Sequence, residues 1–305
     1  MRHHVTCFHL HNKLANYELN VHWQGKRLTH NFAPKYLGVT LDRSLTFKEH
    51  LTKLGRKLQT RNNILNKLAS TSWGANADCL RTSALALVYS TADYCSPVWL
   101  ESAHTDRVDV ELNKSMRCIS GTILSTPTYW LPVLCNIAPA RLRREEALLR
   151  ETQKLITTVV LPGRQEFLNP YYHRLKSRHP PCKLAKTLTE SRLSLKEKWS
   201  SDWQSKTDLS VSSLISPGVK VKGFSLPRHE WCKLNRMRTG FGRTAHFKHL
   251  CGWIDSPRCD CGAESQTVQH IVQECPLRAY PGSPDDLFSL TPDAAQWLRT
   301  LDINL

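Results

Sequence analysis

Cys259-Asp-Cys-Gly262, followed by His270 and Cys275, sets three thiols and one imidazole in a short window. Thiolate and imidazole are the ligands zinc favours, and four protein ligands close a tetrahedral shell with no position left for substrate. The spacing predicts a structural zinc site at Cys259, Cys261, His270 and Cys275. The C-x-C pair is tighter than the usual two-to-four-residue spacer. It is expected on an extended segment, where side chains two apart share a side, with Gly262 allowing a sharp turn. Thr267 to Glu274 reads as a helix with Val268, Ile271 and Val272 inward and His270 toward the cysteines. Pro276 biases Cys275 out of the helical region. His246, His249 and Cys251 rank second as ligands. The competing reading is a set of buried cysteines with a capping histidine.

No other chemistry stands out. The chain has no G-x-x-x-x-G-K-S/T, no H-E-x-x-H and no G-x-S-x-G. Two-metal phosphoryl transfer needs clustered carboxylates. The adjacent aspartates, Asp285-Asp286, sit in Gly282-Ser-Pro-Asp-Asp-Leu287 and read as a loop or helix cap, while Asp42, Asp93 and Asp109 are isolated. Magnesium is not expected.

The elements that must position these residues follow from periodicity. Tyr17 to Trp23 and Lys35 to Leu41 alternate as strands, with a turn at Gly25-Lys26, so residues 1–42 are expected to hold a small antiparallel β element. Thr46 and Glu49 then form a capping-box pattern. Phe47, Leu51, Leu54, Leu58, Leu65 and Leu68 make an apolar stripe, and Lys48, Lys53, Arg56, Lys57, Arg61 and Lys67 cover the rest. Helices are expected at about 76–94 (Leu80, Ala84, Leu87, Val88 and Thr91 inward), at about 105–120 and from Pro139 onward. Together they make a helical bundle over 43–160, with Cys79, Cys95 and Cys118 as buried small residues. Prolines and the serines from Ser210 to Ser216 mark 161–226 as a loose linker. It carries one helix near Leu193 to Lys206, with Trp199 and Trp203 on one face. A basic helix at His229 to Gly240 and the zinc module fill 227–281, and a capped helix from Thr291 fills 282–305. The fold class is mainly α with a small β element (α+β).

Forty-two Lys and Arg against 26 Asp and Glu give a net charge of +16. Such an excess is an electrostatic footprint for phosphate backbones. Lys48, Lys53, Arg56, Lys57, Arg61, Arg236, Arg238 and Arg243 are the expected nucleic-acid contacts. No apolar run approaches a membrane span and no secretory segment opens the chain, so an intracellular protein with no membrane partner is expected.

Several ordered segments carry a family resemblance. Lys35-Tyr-Leu-Gly-Val-Thr-Leu-Asp42 with Thr46 to Leu51, Ala84 to Trp99, Leu234 to Gly240, the Cys259 to Cys275 module and Trp297 to Leu305 resemble the region after the polymerase palm in reverse transcriptases of jockey-like (LINE-type) non-LTR retrotransposons. The resemblance covers nearly the whole chain. It implies palm and primer-grip strands over 1–42, with Tyr36, Leu37 and Gly38 in the primer grip. It also implies a thumb over 43–160 and a C-terminal zinc knuckle that helps bind RNA or DNA. The family's Tyr-x-Asp-Asp motif has no counterpart here, so no polymerase activity is expected from this chain alone. A polymerase fragment in trans, a protein-interaction module, a relic reading frame and a fragment of a full RNA-directed DNA polymerase remain open alternatives.

Overall fold

The computed structural model describes residues 3–70, 73–158, 160–169, 181–191, 194–303 and 305. Helices dominate, after six two-residue strands: β1 His4–Val5, β2 His22–Trp23, β3 Lys26–Arg27, β4 Thr29–His30, β5 Lys35–Tyr36 and β6 Val39–Thr40. The helices are α1 Lys48–Leu68, α2 Ala77–Ala84 running into a π-turn at Leu85–Tyr89, α3 Ser90–Asp93, α4 Ser96–Trp99, α5 Asp106–Ser120, α6 Trp130–Cys135 and α7 Ala140–Thr157. They continue as α8 Arg164–Leu168, α9 Pro181–Glu190, α10 Leu195–Gln204, α11 Leu209–Leu214, α12 Arg228–Thr239, α13 Ala245–Leu250, a π-turn at His270–Glu274, α14 Asp286–Ser289 and α15 Pro292–Thr300. Among the described residues no helix is long and apolar enough to cross a membrane. Leu193, where the helix to Lys206 is expected to begin, and residues 170–180 of the expected linker lie outside the described residues.

The chain's contacts divide it into two units, each assembled from three separate stretches. One unit comprises Met1–Gln59, Ser90–Glu111 and Ala140–Leu193. Here the strands fold into tight hairpins rather than long ladders. β2–β3 and β5–β6 are antiparallel, whereas β1 and β4 pair in parallel. The expected strand Lys35 to Leu41 folds back on itself because Leu37 and Gly38 both take positive φ, 45° and 88°. Two such residues make the primed turn that matches the twist of adjoining strands. Gln24 and Gly25 do the same between β2 and β3. The unit's core holds Leu100, Leu148, Ala185 and Leu188. Buried Arg144 forks onto Asp109 and lies over the Trp99 ring, 5.6 Å from its centre. A bidentate partner and an aromatic face are what let a guanidinium be buried.

The start of α1 departs from the expected capping box. The helix begins at Lys48 after Phe47 in a left-handed conformation, and Glu49 pairs with Lys53 at 2.6 Å instead of reaching back. Thr46 instead donates its hydroxyl to Asp42. The apolar stripe holds at Leu51, Leu54, Leu58 and Leu65, all buried, while Leu68 is exposed.

The other unit comprises Thr60–Tyr89, Leu112–Pro139 and Ser194–Leu305. Asn76 caps α2 by accepting from the Cys79 N–H at 3.0 Å. Leu80, Ala84 and Val88 are buried as expected, but the π-turn rotates the face, so Tyr89 is buried while Leu87 is only half-buried. Cys79 is exposed and Cys118 half-buried, as is Cys95 in the other unit; among the described residues the buried thiols are Cys135, Cys232, Cys259 and Cys275. α6 was not expected, because Pro132 within it reads as a helix breaker; all six of its residues are buried.

The expected linker is also ordered where it is described. Ser194 and Glu197 close a capping box on α10. Trp199 and Trp203 are buried, and the Trp203 indole donates to the Ile215 carbonyl at 3.0 Å and meets Trp130 edge-on. Ile215, Val221 and Phe224 are buried too. Burial of these large side chains outweighs the entropic preference of Ser and Pro for loops. Finally, Leu234 and Met237 of α12, Val268, Ile271 and Val272, and Leu287, Leu298 and Leu301 share one core. The zinc module and the C-terminal helix, expected as separate segments, are therefore one packed body.

Candidate metal centre

The four expected ligands converge. One ligand atom from each of Cys259, Cys261, His270 and Cys275 lies within 4.8 Å of every other, and among the described residues this is the group able to hold a metal ion. The Cys259 and Cys275 sulfurs are 3.9 Å apart, and the Cys261 sulfur is 3.2 Å from His270 Nε2. Tetrahedral zinc with Zn–S near 2.3 Å requires ligand separations of about 3.8 Å. The donor set and its spacing fit zinc, whose role would be to hold the fold.

Local backbone explains the convergence. The C-x-C pair does not sit on a strand. It sits on a turn closed by Gly262 N–H to Cys259 O and by Cys259 N–H to Ala263 O, both 2.9 Å, with Gly262 at φ 94°. His270 opens a π-turn whose wider rings swing its ring toward the thiols, and Cys275 leaves that turn in an extended conformation. Val268, Ile271 and Val272 face inward as expected.

The surroundings complete the site. A Glu274 carboxylate oxygen lies 3.5 Å from His270 Nδ1, the position from which a carboxylate orients a ligating imidazole. Gln266 Nε2 donates to the Cys259 sulfur at 3.7 Å and Arg278 Nη1 at 3.9 Å, and Arg278 also binds Asp260. Burial pushes the Cys259 thiol up, but hydrogen bonds from Cys261, Gln266 and His270 outweigh it and bring the thiol down to about 6. Cys261 is held above its ordinary value. The Ala263 backbone bond lowers it, while burial and the thiols of Cys259 and Cys275 raise it more. Thiols this close cannot all ionise without a cation between them.

The second-rank ligands do not join the group. Cys251 is exposed, His246 Nδ1 meets Ser265 Oγ at 2.9 Å, and His249 Nδ1 meets the Ile254 carbonyl at 3.2 Å. Asp285 stands at the N-terminal boundary of α14 without a side-chain cap bond, and Asp286, the first residue of that helix, accepts from the Tyr280 hydroxyl at 3.2 Å.

The expected phosphate contacts divide. Lys48, Lys53, Arg56, Lys57 and Arg243 are exposed. Arg61 is half-buried and donates to the Leu87 carbonyl. Arg236 and Arg238 are only 2% and 4% exposed, and their placement corrects the expectation that they face a phosphate backbone. Arg236 donates to Gly121 O at 2.9 Å, and Arg238 to Leu287 O and Phe288 O, each at 3.0 Å. Burial lowers them to about 10 and about 9 respectively. Arg228, which the sequence did not single out, is buried alongside and donates to Ser70 O, Ile119 O and Cys118 O. Its place at the first turn of an amphipathic helix held no signal of this. Tyr36 and Leu37 are exposed at the tip of the β5–β6 hairpin, where the Leu37 carbonyl accepts from the Tyr94 hydroxyl at 2.8 Å. A Cβ on Gly38 would come 3.0 Å from the Tyr94 ring.

Known proteins are similar to the chain over most of its length. The chain is 25% identical, over 86% of its length, to a retrovirus-related Pol polyprotein from type-1 retrotransposable element R1 4 of Nasonia vitripennis. The chain is thus similar to Pol polyproteins of LINE-type retrotransposons. It is also 24% identical, over 90% of its length, to the Pol polyprotein of element R1 from Bradysia coprophila. A putative 115 kDa protein in type-1 element R1DM of Drosophila melanogaster is 23% identical over 85% of the chain. The chain spans 64% of the first of these relatives and 27% and 25% of the others. No family model and no solved structure matches.

Proposed function

We propose that this chain is the nucleic-acid-binding, zinc-held C-terminal part of a non-LTR retrotransposon reverse transcriptase. The convergence of Cys259, Cys261, His270 and Cys275 carries the reading, because a closed zinc shell in a chain of net charge +16 builds a rigid cationic surface. Kinship with retrotransposon Pol polyproteins supports it. In this reading α1 and α5 belong to a thumb, and Tyr36, Leu37 and Gly38 belong to a primer grip. Lys48, Lys53, Arg56, Lys57 and Arg243 touch phosphates without reading sequence. RNA or DNA is the partner, and a polymerase fragment in trans is a further one.

The chain's own residues contribute binding, not phosphoryl transfer. Its adjacent aspartates lie at the start of α14, with Asp286 bound by the Tyr280 hydroxyl, and Asp42 holds the Thr46 turn. Primer extension should therefore fail with this chain alone and appear only beside a fragment bearing Tyr-x-Asp-Asp. Electrophoretic shifts on RNA–DNA hybrid, duplex and single strand, repeated across a salt series, test the binding. Affinity should fall steeply with salt. Affinity that is flat with salt would refute the reading. A partner retained through nuclease and high salt would make the zinc body a protein-interaction module instead.

A further inference from the structure

One side chain ties the metal centre to the helix beside it. Gln266 is buried, and each of its four polar groups has a partner. Its backbone N–H donates to Pro257 O at 2.8 Å, closing the loop that carries Cys259 and Cys261, and its carbonyl accepts from His246 N–H at 3.2 Å. Its Oε1 accepts the Ala245 N–H at 2.9 Å, and its Nε2 donates to the Cys259 sulfur at 3.7 Å. A backbone N–H can only donate, so it sets which way the amide faces: oxygen toward α13, nitrogen toward the sulfur. The same residue therefore grips a metal ligand with one end and the first turn of α13 with the other.

α13 depends on such a grip. It is six residues long, and none of the six is buried. A helix this short does not persist in water on propensity alone. Its ends are closed locally. The Thr244 hydroxyl accepts from Phe247 N–H at 3.3 Å, and Trp253 N–H bonds to Lys248 O at 2.9 Å beyond Gly252, which takes φ 70°. Trp253 meets Phe247 edge-on at 6.0 Å yet stays 61% exposed, so it adds little burial. The first turn is docked by hydrogen bonds instead: the two to Gln266, and His246 Nδ1 at 2.9 Å from Ser265 Oγ. Ser265 and Gln266 both lie between Cys261 and His270, two of the four residues that converge at the metal centre.

From this arrangement we infer that Gln266 is a positioning residue through which metal occupancy orders α13. The inference rests on the zinc reading above and adds an element that the metal controls. With the ligands drawn together the Cys259 sulfur is fixed, and it holds the Gln266 amide where Oε1 and the carbonyl of the same residue meet Ala245 and His246. When the ligands part, the amide loses its anchor, and α13 has no buried side chain to keep it in place. α12 and α15 differ, because Leu234, Met237 and Leu298 hold them in the core. A fault at Gln266 with the metal still bound should therefore reach α13 alone.

The test follows hydrogen exchange by mass spectrometry on the full chain, without metal, with zinc and with cobalt(II) as a spectroscopic stand-in. In the wild type, zinc should slow exchange across residues 245–253 about tenfold or more. At saturating zinc, Gln266→Ala should return that segment to its metal-free exchange while α12 and α15 keep wild-type protection. Gln266→Glu keeps the volume and an acceptor for Ala245 but loses the donor to sulfur, and it should lose the same protection. In both variants the sulfur-to-cobalt charge-transfer band should move to longer wavelength, because removing a donor raises the energy of the sulfur lone pairs. A purely structural role would leave that band in place. Equal α13 exchange with and without zinc, or wild-type α13 protection in Gln266→Glu, would overturn the coupling while leaving the zinc site intact. So would losses in the variants as large across α12 as across α13. Wild-type chain that takes up neither zinc nor cobalt would remove the zinc reading and this one with it.

Discussion

Helices α1 and α12 are both amphipathic and both rich in cations, yet they treat charge in opposite ways. Along α1 the leucines are buried, and Lys48, Lys53, Arg56 and Lys57 stay in water. The basic group on its buried side is His50, which accepts the Thr40 N–H at 3.3 Å. Burial lowers the His50 pKa, with Lys53 and Lys35 adding to the effect, so the ring is carried neutral. In α12 the interior takes up Arg228, Arg236 and Arg238 themselves. An arginine cannot shed its charge as histidine can, so each guanidinium must find acceptors. Arg228 and Arg236 find them at the end of α5, where Cys118, Ile119 and Gly121 offer carbonyls that the helix leaves unpaired and Trp231 and Asn235 bind Ile119 and Ser120 as well, and Arg238 finds them at Leu287 and Phe288 of α14. Arg228 and Arg236 act as a C-terminal cap for α5, whereas Lys48, Lys53, Arg56 and Lys57 of α1 stay exposed. Positive charge in a sequence therefore counts toward phosphate binding only after its burial is known.

Removing the metal should break this contrast most severely. Val268, Ile271 and Val272 share the core of Leu234 and Met237, so chelation or Cys275→Ser should loosen the body that encloses α12. Structural zinc is worth on the order of 10 kcal/mol in small modules. Hydrogen exchange should rise across α12 and α15 far more than across the first turns of α1, with zinc falling from about one per chain to none. Equal protection with and without zinc would show the metal to be dispensable.

Next in size is Arg228→Ala. It strips three carbonyls of their donor and should cost on the order of 3 kcal/mol in urea unfolding, leaving the salt dependence of nucleic-acid binding untouched. Gln266→Ala should weaken zinc about tenfold or more in a competition titration, because it removes a donor to the Cys259 thiolate. Neutralising Lys48, Lys53 and Lys57 together should do the reverse of Arg228→Ala. Each change should alter stability by less than about 0.5 kcal/mol, while the salt slope of binding falls by about 0.7–0.9 per contacting charge. Slopes unchanged in that variant would remove α1 from the interface.

The smallest effect belongs to His50. Its folded pKa lies below the ordinary 6.5, so as pH falls through that value the unfolded chain takes the proton first. The stability it contributes is present above 6.5 and is lost below, until its folded pKa is passed. His50→Gln should flatten that part of the pH–stability profile and leave the rest unchanged.

Much of the metal centre was legible because ligand chemistry is local. Cysteine and histidine at that spacing, followed by Pro276, leave few other arrangements. The turn that carries Cys259 and Cys261 was not legible as such, because two residues on either an extended segment or a turn can bring their sulfurs together. The leucine stripe of α1 and the Thr291 cap of α15, which accepts from Ala294 N–H at 3.3 Å, were equally plain, since periodicity and capping are short-range. The hairpin at Leu37–Gly38 was missed because a leucine at positive φ is rarely chosen. The helix at Leu195–Gln204 was legible, but the burial of Trp203 against Trp130 was not, because that partner lies far away in sequence.

By itself the sequence determined the ligand set, the helical majority of the chain and its net positive charge, all of which depend on residue type and near neighbours. Only the tertiary structure decided which charges are spent inside and which are offered outside. Burial of a guanidinium turns on whether a distant helix end supplies carbonyls, as α5 does for Arg228 and Arg236. Exposure of an indole turns on whether any element covers it, and none covers most of Trp253.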